Sequence, residues 1–280
     1  MIRTTVAAGI AAGMALVTGG AAFGQSAGAP LHFEVASIKP VAPSLDGRYM
    51  VRMRVSEGGL NYSSASLKAI IERACDVRDF QISGPDWMAS ARFDVVAKLP
   101  AGAPRSGVPE MLRSLLAERF HMTVHRETRQ VPMYALVVGK NGPRMKESAA
   151  DGNAPPPESD PRPGPAAASA LDCGPRDAVA KVAGWMINKG PGHVEGHAMN
   201  MASLTNLLSS LLGRPVVNET GLAGSYDFDL VYAPAAATAD SDALPLLDAV
   251  QSDIGLKLVA RKGPLELVVV DHVEEKPTEN

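Results

Sequence analysis

The sequence predicts an α+β fold built from two similar modules, each a small sheet with helices. Three features of the sequence favour this fold class. Two amphipathic helices, at 67–75 and 204–212, have the same apolar spacing. A strand that opens with an aromatic residue and Asp follows each helix, at Phe93 and at Tyr226. A stretch rich in Pro and Ala separates the two series, so the repeated order predicts an internal duplication.

The first predicted module spans residues 31–146. Its strand at 31–40 precedes a helix that Ser66 caps, and a second helix begins near Val108. Short apolar runs follow the helices, so the module is expected to have the order β-α-β-β-α-β-β. The last two strands are predicted from HMTVHRE and YALVV, the latter at 134–138.

The second predicted module spans residues 192–276 and repeats the same seven elements. Ser203 is expected to cap its leucine-rich helix. Residues 147–191 are predicted to form a flexible linker, because clustered Pro and low hydrophobicity cannot offset the entropy lost on ordering. The two modules are expected to lie side by side or to share a sheet.

Composition restricts the function classes. Residues 1–24 carry one charge, an apolar run and a small-residue cleavage site, which is typical of a signal peptide. The protein is therefore expected to be exported, either periplasmic or secreted, with no transmembrane segment in the mature chain. The net charge of -3 and the lack of a basic stripe argue against nucleic-acid binding.

Two cysteines, Cys75 and Cys173, suit an oxidising compartment. A disulfide between them is one expectation. The other is a free Cys75 that packs as a small apolar residue on its helix. The sequence gives no distance between the two residues, so both expectations stay open.

The motif GHVEGH offers a candidate metal site. On a strand, His193, Glu195 and His197 share one face, and two imidazoles with a carboxylate match a catalytic zinc ligand set. His121 and His125 form a similar pair in HMTVH. The alternative interpretation is that these side chains lie on the solvated face of their strands.

Other chemistry has weaker support. The chain lacks the local motifs of serine hydrolases, thioredoxins, phosphate-binding loops and zinc helices. Asp271 and His272 are adjacent on a predicted strand, so they point to opposite faces and cannot form a dyad. Trp87, beside a turn, would serve binding if exposed and would close the first module if covered.

Several stretches together carry a family resemblance: FEVASIKP, SLKAIIERA, QISGPDW, RFDVVAK, LLAERFHMTVHRETRQVPMYALVV, LLGRPVVNETGLAGSYDFDL and GLKLVARKGPLELVVVDHVE. Over residues 31–275 the chain resembles a large uncharacterised family of exported proteins of unknown function from soil bacteria. This resemblance implies a sensory or envelope role. The repeat is also similar to the short N-terminal modules of secretins and TonB-dependent receptors, an analogy of fold alone.

We therefore expect an exported, non-enzymatic binding or sensing module of the bacterial envelope, without a cofactor. Its partner would be an envelope protein, a peptide or a small molecule, and strand addition at a sheet edge is the expected mode. The alternative is a secreted metal-dependent hydrolase of a small ester or lactone. In that case His193, Glu195 and His197 would hold zinc or calcium, and water would be the nucleophile.

Overall fold

The structure, a computed structural model, describes residues 31–42, 49–56, 58–148, 171–174, 184–234 and 243–278. Within these residues it has twelve strands and five α-helices, which confirms the α+β prediction. The predicted signal peptide at 1–24 and most of the predicted linker lie outside the described residues. No helix in the described part of the chain is both long and apolar enough to cross a membrane.

The elements of the first half are strands β1 (Val35–Pro40), β2 (Arg52–Ser56), β3 (Gly59–Ser66), β4 (Ile82–Ser83), β5 (Arg92–Lys98) and β6 (Thr123–Val138), with helices α1 (Leu67–Cys75), α2 (Trp87–Ser90) and α3 (Val108–Phe120). The elements of the second half are strands β7 (Lys146–Glu147), β8 (Trp185–Gly190), β9 (His193–Asn200), β10 (Val216–Asn218), β11 (Ser225–Val231) and β12 (Leu256–His272), with helices α4 (Met201–Leu212) and α5 (Leu246–Asp253).

The strands form three four-stranded sheets. The first sheet has the order β1-β5-β3-β2, and the second sheet repeats it as β7-β11-β9-β8. The central sheet has the order β10-β6-β12-β4 and takes strands from both halves. Of the two predicted arrangements, the structure therefore has the shared sheet. The same order occurs twice, while duplication as its origin stays a prediction.

The central sheet is built on one long antiparallel ladder between β6 and β12, of 16 and 17 residues. Gln130 pairs with Pro264 near its middle. At one end β4 adds in parallel to β12, and at the other end β10 adds in parallel to β6. The two halves are thus related by an approximate twofold axis through the centre of the ladder.

This ladder corrects the predicted order of each module. The two strands expected after the second helix are one continuous strand, because the exposed residues between the two apolar runs stay paired in the ladder. The boundary of the predicted linker also differs, since Trp185–Gly190 forms β8. The second sheet therefore begins before residue 192.

Each of the two hydrophobic cores includes residues from the other half of the chain. The first core, under the first sheet and helices α1 and α3, includes Val268 and Val270 from β12. The second core, under the second sheet and α4, includes Leu136 from β6. We call the two structures around these cores the first and second lobes. Neither lobe has a complete core without a strand from the other half of the sequence.

The two first helices start at corresponding places. Ser66 caps α1 as predicted, because its Oγ accepts a hydrogen bond from the backbone N–H of Ala69 at 3.1 Å. The cap of α4 is Asn200, one turn earlier than the predicted Ser203, and Asn200 Oδ1 accepts the Ser203 N–H at 2.9 Å. Each cap is the last residue of an eight-residue strand.

Each half contains the same strained bulge. Ser64 and Ala198 have positive φ, at 53° and 49°, a backbone conformation that most side chains disfavour. In each case the N–H of the strained residue donates to an Asp, namely Asp94 at 2.7 Å and Asp227 at 2.7 Å. These are the Asp residues of the two aromatic-Asp pairs in the sequence. The two carboxylate acceptors stabilise the bulges that interrupt the pairing of β3 with β5 and of β9 with β11.

A disulfide fixes a segment of the predicted linker to the first lobe. Cys75, the last residue of α1, is bonded to Cys173, and both are fully buried. Leu171 packs into the same core, and Arg126 on β6 donates a hydrogen bond to the carbonyl oxygen of Gly174. The segment 171–174 is therefore part of the first lobe, although it follows β7, the first strand of the second half, in the sequence.

The shared ladder predicts that the two lobes unfold together. Leu136→Ala removes a buried side chain of the second core, so we expect the free energy of unfolding to fall by about 2–5 kcal/mol. Each lobe has one tryptophan, Trp87 in the first and Trp185 in the second. In urea, the tryptophan fluorescence of the Trp87→Phe variant therefore follows the second lobe, and that of the Trp185→Phe variant follows the first. Coincident midpoints are expected even with Leu136→Ala, whereas separate transitions would contradict the shared core.

The disulfide predicts a second effect on stability. It closes a loop with a sequence separation of 98 residues. We expect the Cys75→Ala, Cys173→Ala double variant to lose about 3–5 kcal/mol of unfolding free energy, because the unfolded chain gains that loop freedom. Urea unfolding at neutral pH measures the loss. Excess reductant is the control. It should lower the unfolding midpoint of the wild-type protein, whose disulfide it breaks, and leave the midpoint of the double variant unchanged.

Candidate functional site

Strand β9 places the GHVEGH motif on the second sheet. Its side chains alternate, so His193, Glu195 and His197 lie on the outer face, as predicted. Val194 and Met199 are buried on the opposite side, and Met199 is part of the second core. The motif therefore lies on a strand, and its ionisable side chains are on the outer face of the sheet.

The outer-face groups are engaged with each other. Lys189 Nζ donates to Glu195 Oε2 at 2.6 Å, and His193 Nε2 lies 2.6 Å from Asp229 Oδ1 on β11. His197 Nε2 is 3.8 Å from the same Glu195 oxygen, too long for a hydrogen bond. His197 Nε2 is buried and makes no hydrogen bond with the described residues.

The Lys189–Glu195 pair perturbs the ionisation of both groups. The hydrogen bond from Lys189 lowers the pKa of Glu195, and the charges of Lys189, His197 and His193 lower it further. The same hydrogen bond raises the pKa of Lys189. Glu195 is therefore held as a carboxylate that accepts from Lys189.

The predicted metal site is not assembled in this arrangement. His193, Glu195 and His197 share a face, but the Glu195 oxygen that faces His197 is bonded to Lys189. Within the described ranges, no three His, Cys, Asp or Glu side chains are grouped so that they could hold a metal ion. The hypothesis of a zinc or calcium hydrolase thus gains no preformed donor set from these residues.

The HMTVH histidines do not form the predicted pair. His121 is the C-cap of α3, with a φ of 46°, and lies before β6 begins. Its Nδ1 is 3.2 Å from Glu274, whereas His125 Nδ1 is 2.7 Å from Asp271 Oδ1. Asp271 thus contacts a histidine of the neighbouring strand rather than the adjacent His272.

Trp87 is half-buried at the start of α2 and packs against the first core. The following residue, Met88, is fully buried, so this short helix covers one end of the lobe. The position agrees with the structural alternative for Trp87. A role of Trp87 in binding stays a prediction.

Sequence reasoning missed the edge strand β8. Trp185, Met186 and Ile187 are 40%, 48% and 40% exposed, three large apolar residues in succession on a strand of the surface. The Trp185 ring stacks on His197, with centroids 4.0 Å apart and an angle of 19° between the planes. Among the described strands, only β9 pairs with β8, so β8 is the edge strand of the second sheet as described.

The first sheet provides an internal comparison for this edge. Strand β2 occupies the same place at the end of its sheet. Arg52 pairs with the fifth residue of β3, and Trp185 pairs with the fifth residue of β9. Likewise Arg54 and Ile187 pair with the third residue of their neighbours. The outer face thus carries two arginines at the first edge and an apolar pair at the second.

Comparisons with known proteins identify the family but no characterised relative. A family described as a protein of unknown function (DUF3738) matches residues 68–273, most of the chain. No curated protein and no solved structure matches the chain. The match begins after β1, β2 and β3 of the first sheet and includes the complete β6–β12 ladder.

The Lys189–Glu195 contact makes a testable prediction about ionisation. Replacing Lys189 with Met removes the donor that lowers the pKa of Glu195, so that pKa should rise toward the usual value of a glutamate. Carbon-detected NMR titration of the Glu195 carboxyl group measures the change. Lys262→Met, which alters an exposed lysine on the ladder, is the matched control and should leave Glu195 unchanged. An unaltered Glu195 titration in Lys189→Met would contradict the contact.

Proposed function

Because the chain belongs to the DUF3738 family, whose function is unknown, we propose its function from the edge of the second sheet. The protein is an exported binding module, and an extended segment of another protein adds as a strand along β8. The observation that carries this proposal is the exposed apolar pair Trp185 and Ile187, at the positions where the first sheet has Arg52 and Arg54.

An open edge strand presents unpaired backbone N–H and C=O groups and readily pairs with another strand. Proteins usually prevent this with charged side chains, and Arg52 and Arg54 supply such charges on β2. Strand β8 has no charged residue among Trp185–Asn188, and it combines exposed apolar surface with a side that no other described strand pairs. That combination is typical of strand-addition sites, where the backbone gives affinity and alternate side chains give specificity.

The chemistry of β8 indicates the chemistry of its partner. Side chains of an added strand alternate between the two faces, so every second residue would lie on the outer face beside Trp185 and Ile187. Apolar residues suit those positions, because they would bury the exposed indole and aliphatic surface. The Lys189–Glu195 pair marks the polar end of the site. The expected ligand is an extended peptide with apolar residues at alternate positions.

The disulfide supports the exported location. Disulfides persist in oxidising compartments, and the two cysteines of the chain are bonded to each other. The signal-like pattern at 1–24 favours the same location. A periplasmic or secreted binding module would meet extended segments of envelope proteins there.

A phage-displayed library of random nonapeptides tests the proposal. Peptides selected on the purified protein should alternate apolar and polar residues. Their affinity should fall at least about tenfold for the Trp185→Arg, Ile187→Arg double variant, because a buried tryptophan anchor typically contributes about 2 kcal/mol or more. Methylating the central backbone nitrogens of a selected peptide should also abolish binding, since the added strand loses its ladder hydrogen bonds.

The matched control is Val35→Arg. Val35 is an exposed apolar residue on the edge strand β1 of the first sheet, so the substitution adds the same charged group at a different edge. Binding should be unchanged in this variant. Selected peptides that bind the double variant and the wild-type protein equally, or a library without any enriched sequence, would refute β8 as the site.

A further inference from the structure

The outer face of the first sheet is basic. Side chains alternate along its four strands, and one set, which includes Ile38, Tyr62 and Phe93, is buried in the first core. The other set forms the outer face. On these four strands, whose residues are all described, the charged members of that set are one acidic residue, Asp94, and five basic residues, Lys39, Arg52, Arg54, Arg92 and Lys98.

The corresponding positions of the second sheet carry less positive charge. Asp94 and Asp227 each accept the N–H of a bulge residue, so β5 and β11 align at these two positions. Three outer-face positions then differ, because Arg92 corresponds to Ser225, Val96 to Asp229 and Lys98 to Val231. Each difference makes the first face more positive than the second. Edge protection explains charges on β2, but β5 is an inner strand and has no edge to protect.

Two of the charged groups are already engaged at one end of the face. Arg92 donates to the Ser64 carbonyl oxygen at 3.0 Å, and its guanidinium lies 4.3 Å from the centre of the Tyr49 ring. The Asp94 carboxylate accepts the Ser64 N–H at 2.7 Å. These two groups contribute charge to the face without being free to contact a ligand.

The other end of the face has basic groups that a ligand can reach. Arg54 has no ion-pair partner among the described residues. Lys98 Nζ lies 2.8 Å from Glu34 Oε1, with both side chains about half exposed. Because a surface pair of this kind contributes little stability, a ligand carboxylate can take the place of Glu34.

A shallow depression of about 590 Å³ lies between these two basic groups. Arg54, Asn61, Val96 and Ser37 form one row across the four strands, and Lys98 lies in the next row. Val96 is 54% exposed, so the centre of the depression is an accessible apolar surface. The depression is also lined by Val35, Ser56, Gly58, Gly59, Leu60 and Ala97.

The lining indicates the class of ligand. The basic groups select an anion. Ser37, Ser56 and Asn61 lie around them and offer hydroxyl and amide groups, which match a ligand rich in hydroxyl groups. None of the outer-face residues on these four strands is aromatic, so the face lacks the stacking surface of single-stranded nucleic-acid sites. A peptide fits less well, because β3 and β5 are paired on both sides and have no backbone groups for it.

We propose that the outer face of the first sheet binds an acidic oligosaccharide, a short chain of sugars that carry carboxylate groups. The carboxylates bind Arg54 and Lys98, and a sugar ring covers Val96. Strands β2 and β5 are two strand spacings apart, about 10 Å, so the ligand spans more than one sugar. The site is independent of the proposed peptide edge at β8, since it lies in the other lobe.

Tetragalacturonate is the test ligand, titrated calorimetrically into the purified protein at low ionic strength, with maltotetraose as its neutral counterpart. Tetragalacturonate should bind with a one-to-one stoichiometry, and added salt should weaken it. The Arg54→Gln, Lys98→Gln double variant should bind at least about fivefold more weakly, the scale of two exposed charge pairs. Val96→Asp should abolish binding, because its carboxylate repels the ligand.

The Val96→Asp variant is expected to fold, since the second sheet has Asp229 at the corresponding exposed position, and an unchanged urea midpoint checks this. The matched control is the Lys257→Gln, Lys262→Gln double variant, which removes the same charge from exposed residues of β12 and should keep wild-type affinity. Absence of tetragalacturonate binding at millimolar concentration, or equal binding by all variants, would overturn the proposal. Equal binding of maltotetraose would refute selection of an anion, and equal binding of tetraglutamate would refute a sugar ligand.

Discussion

The antiparallel ladder between β6 and β12 determines how the rest of the molecule packs. Because side chains alternate along a strand, a shift of one residue in its register would turn every side chain to the other face. Leu136 would then leave the second core, and Val268 and Val270 would leave the first. The register of a single strand pair therefore controls both cores at once. Its middle section, without β4 or β10, is flanked by charged residues such as Arg129 and Lys262, which discourage pairing with a further strand.

The bulges at Ser64 and Ala198 show how the two halves keep the same local geometry with different residues. A positive φ at a residue other than glycine costs about 1–2 kcal/mol, and a charge-assisted hydrogen bond from the same residue offsets much of it. The acceptors Asp94 and Asp227 stand next to buried aromatic residues on β5 and β11, which fix their positions. The aromatic-Asp pairs were visible in the sequence. Their role was not, because the hydrogen-bond partner lies about thirty residues earlier in the chain.

The sequence predicted the elements of this fold better than their connections. Periodicity identified the helices and the alternating face of GHVEGH, because both depend on local spacing. The leucine stripe of α4 begins at Leu204, about one turn after the helix starts, so the sequence predicts Ser203 as the cap in place of Asn200. Strand exchange could not be predicted, because apolar residues on β6 look the same whichever core they enter. Strand β8 was missed since its short apolar run borders a Pro/Ala-rich stretch and lacks strand alternation.

The places where the two halves differ are informative, because the rest of their structure is the same. Where two halves have the same strand order, the same bulge and the same cap position, their common features are explained by folding. The differences call for another cause. Arg52 and Arg54 protect one sheet edge, whereas Trp185 and Ile187 leave the corresponding edge apolar and exposed, at a cost in solubility that folding does not require. Since both edges belong to sheets of the same order, the fold does not require this difference, and the proposed recognition of a partner would explain it.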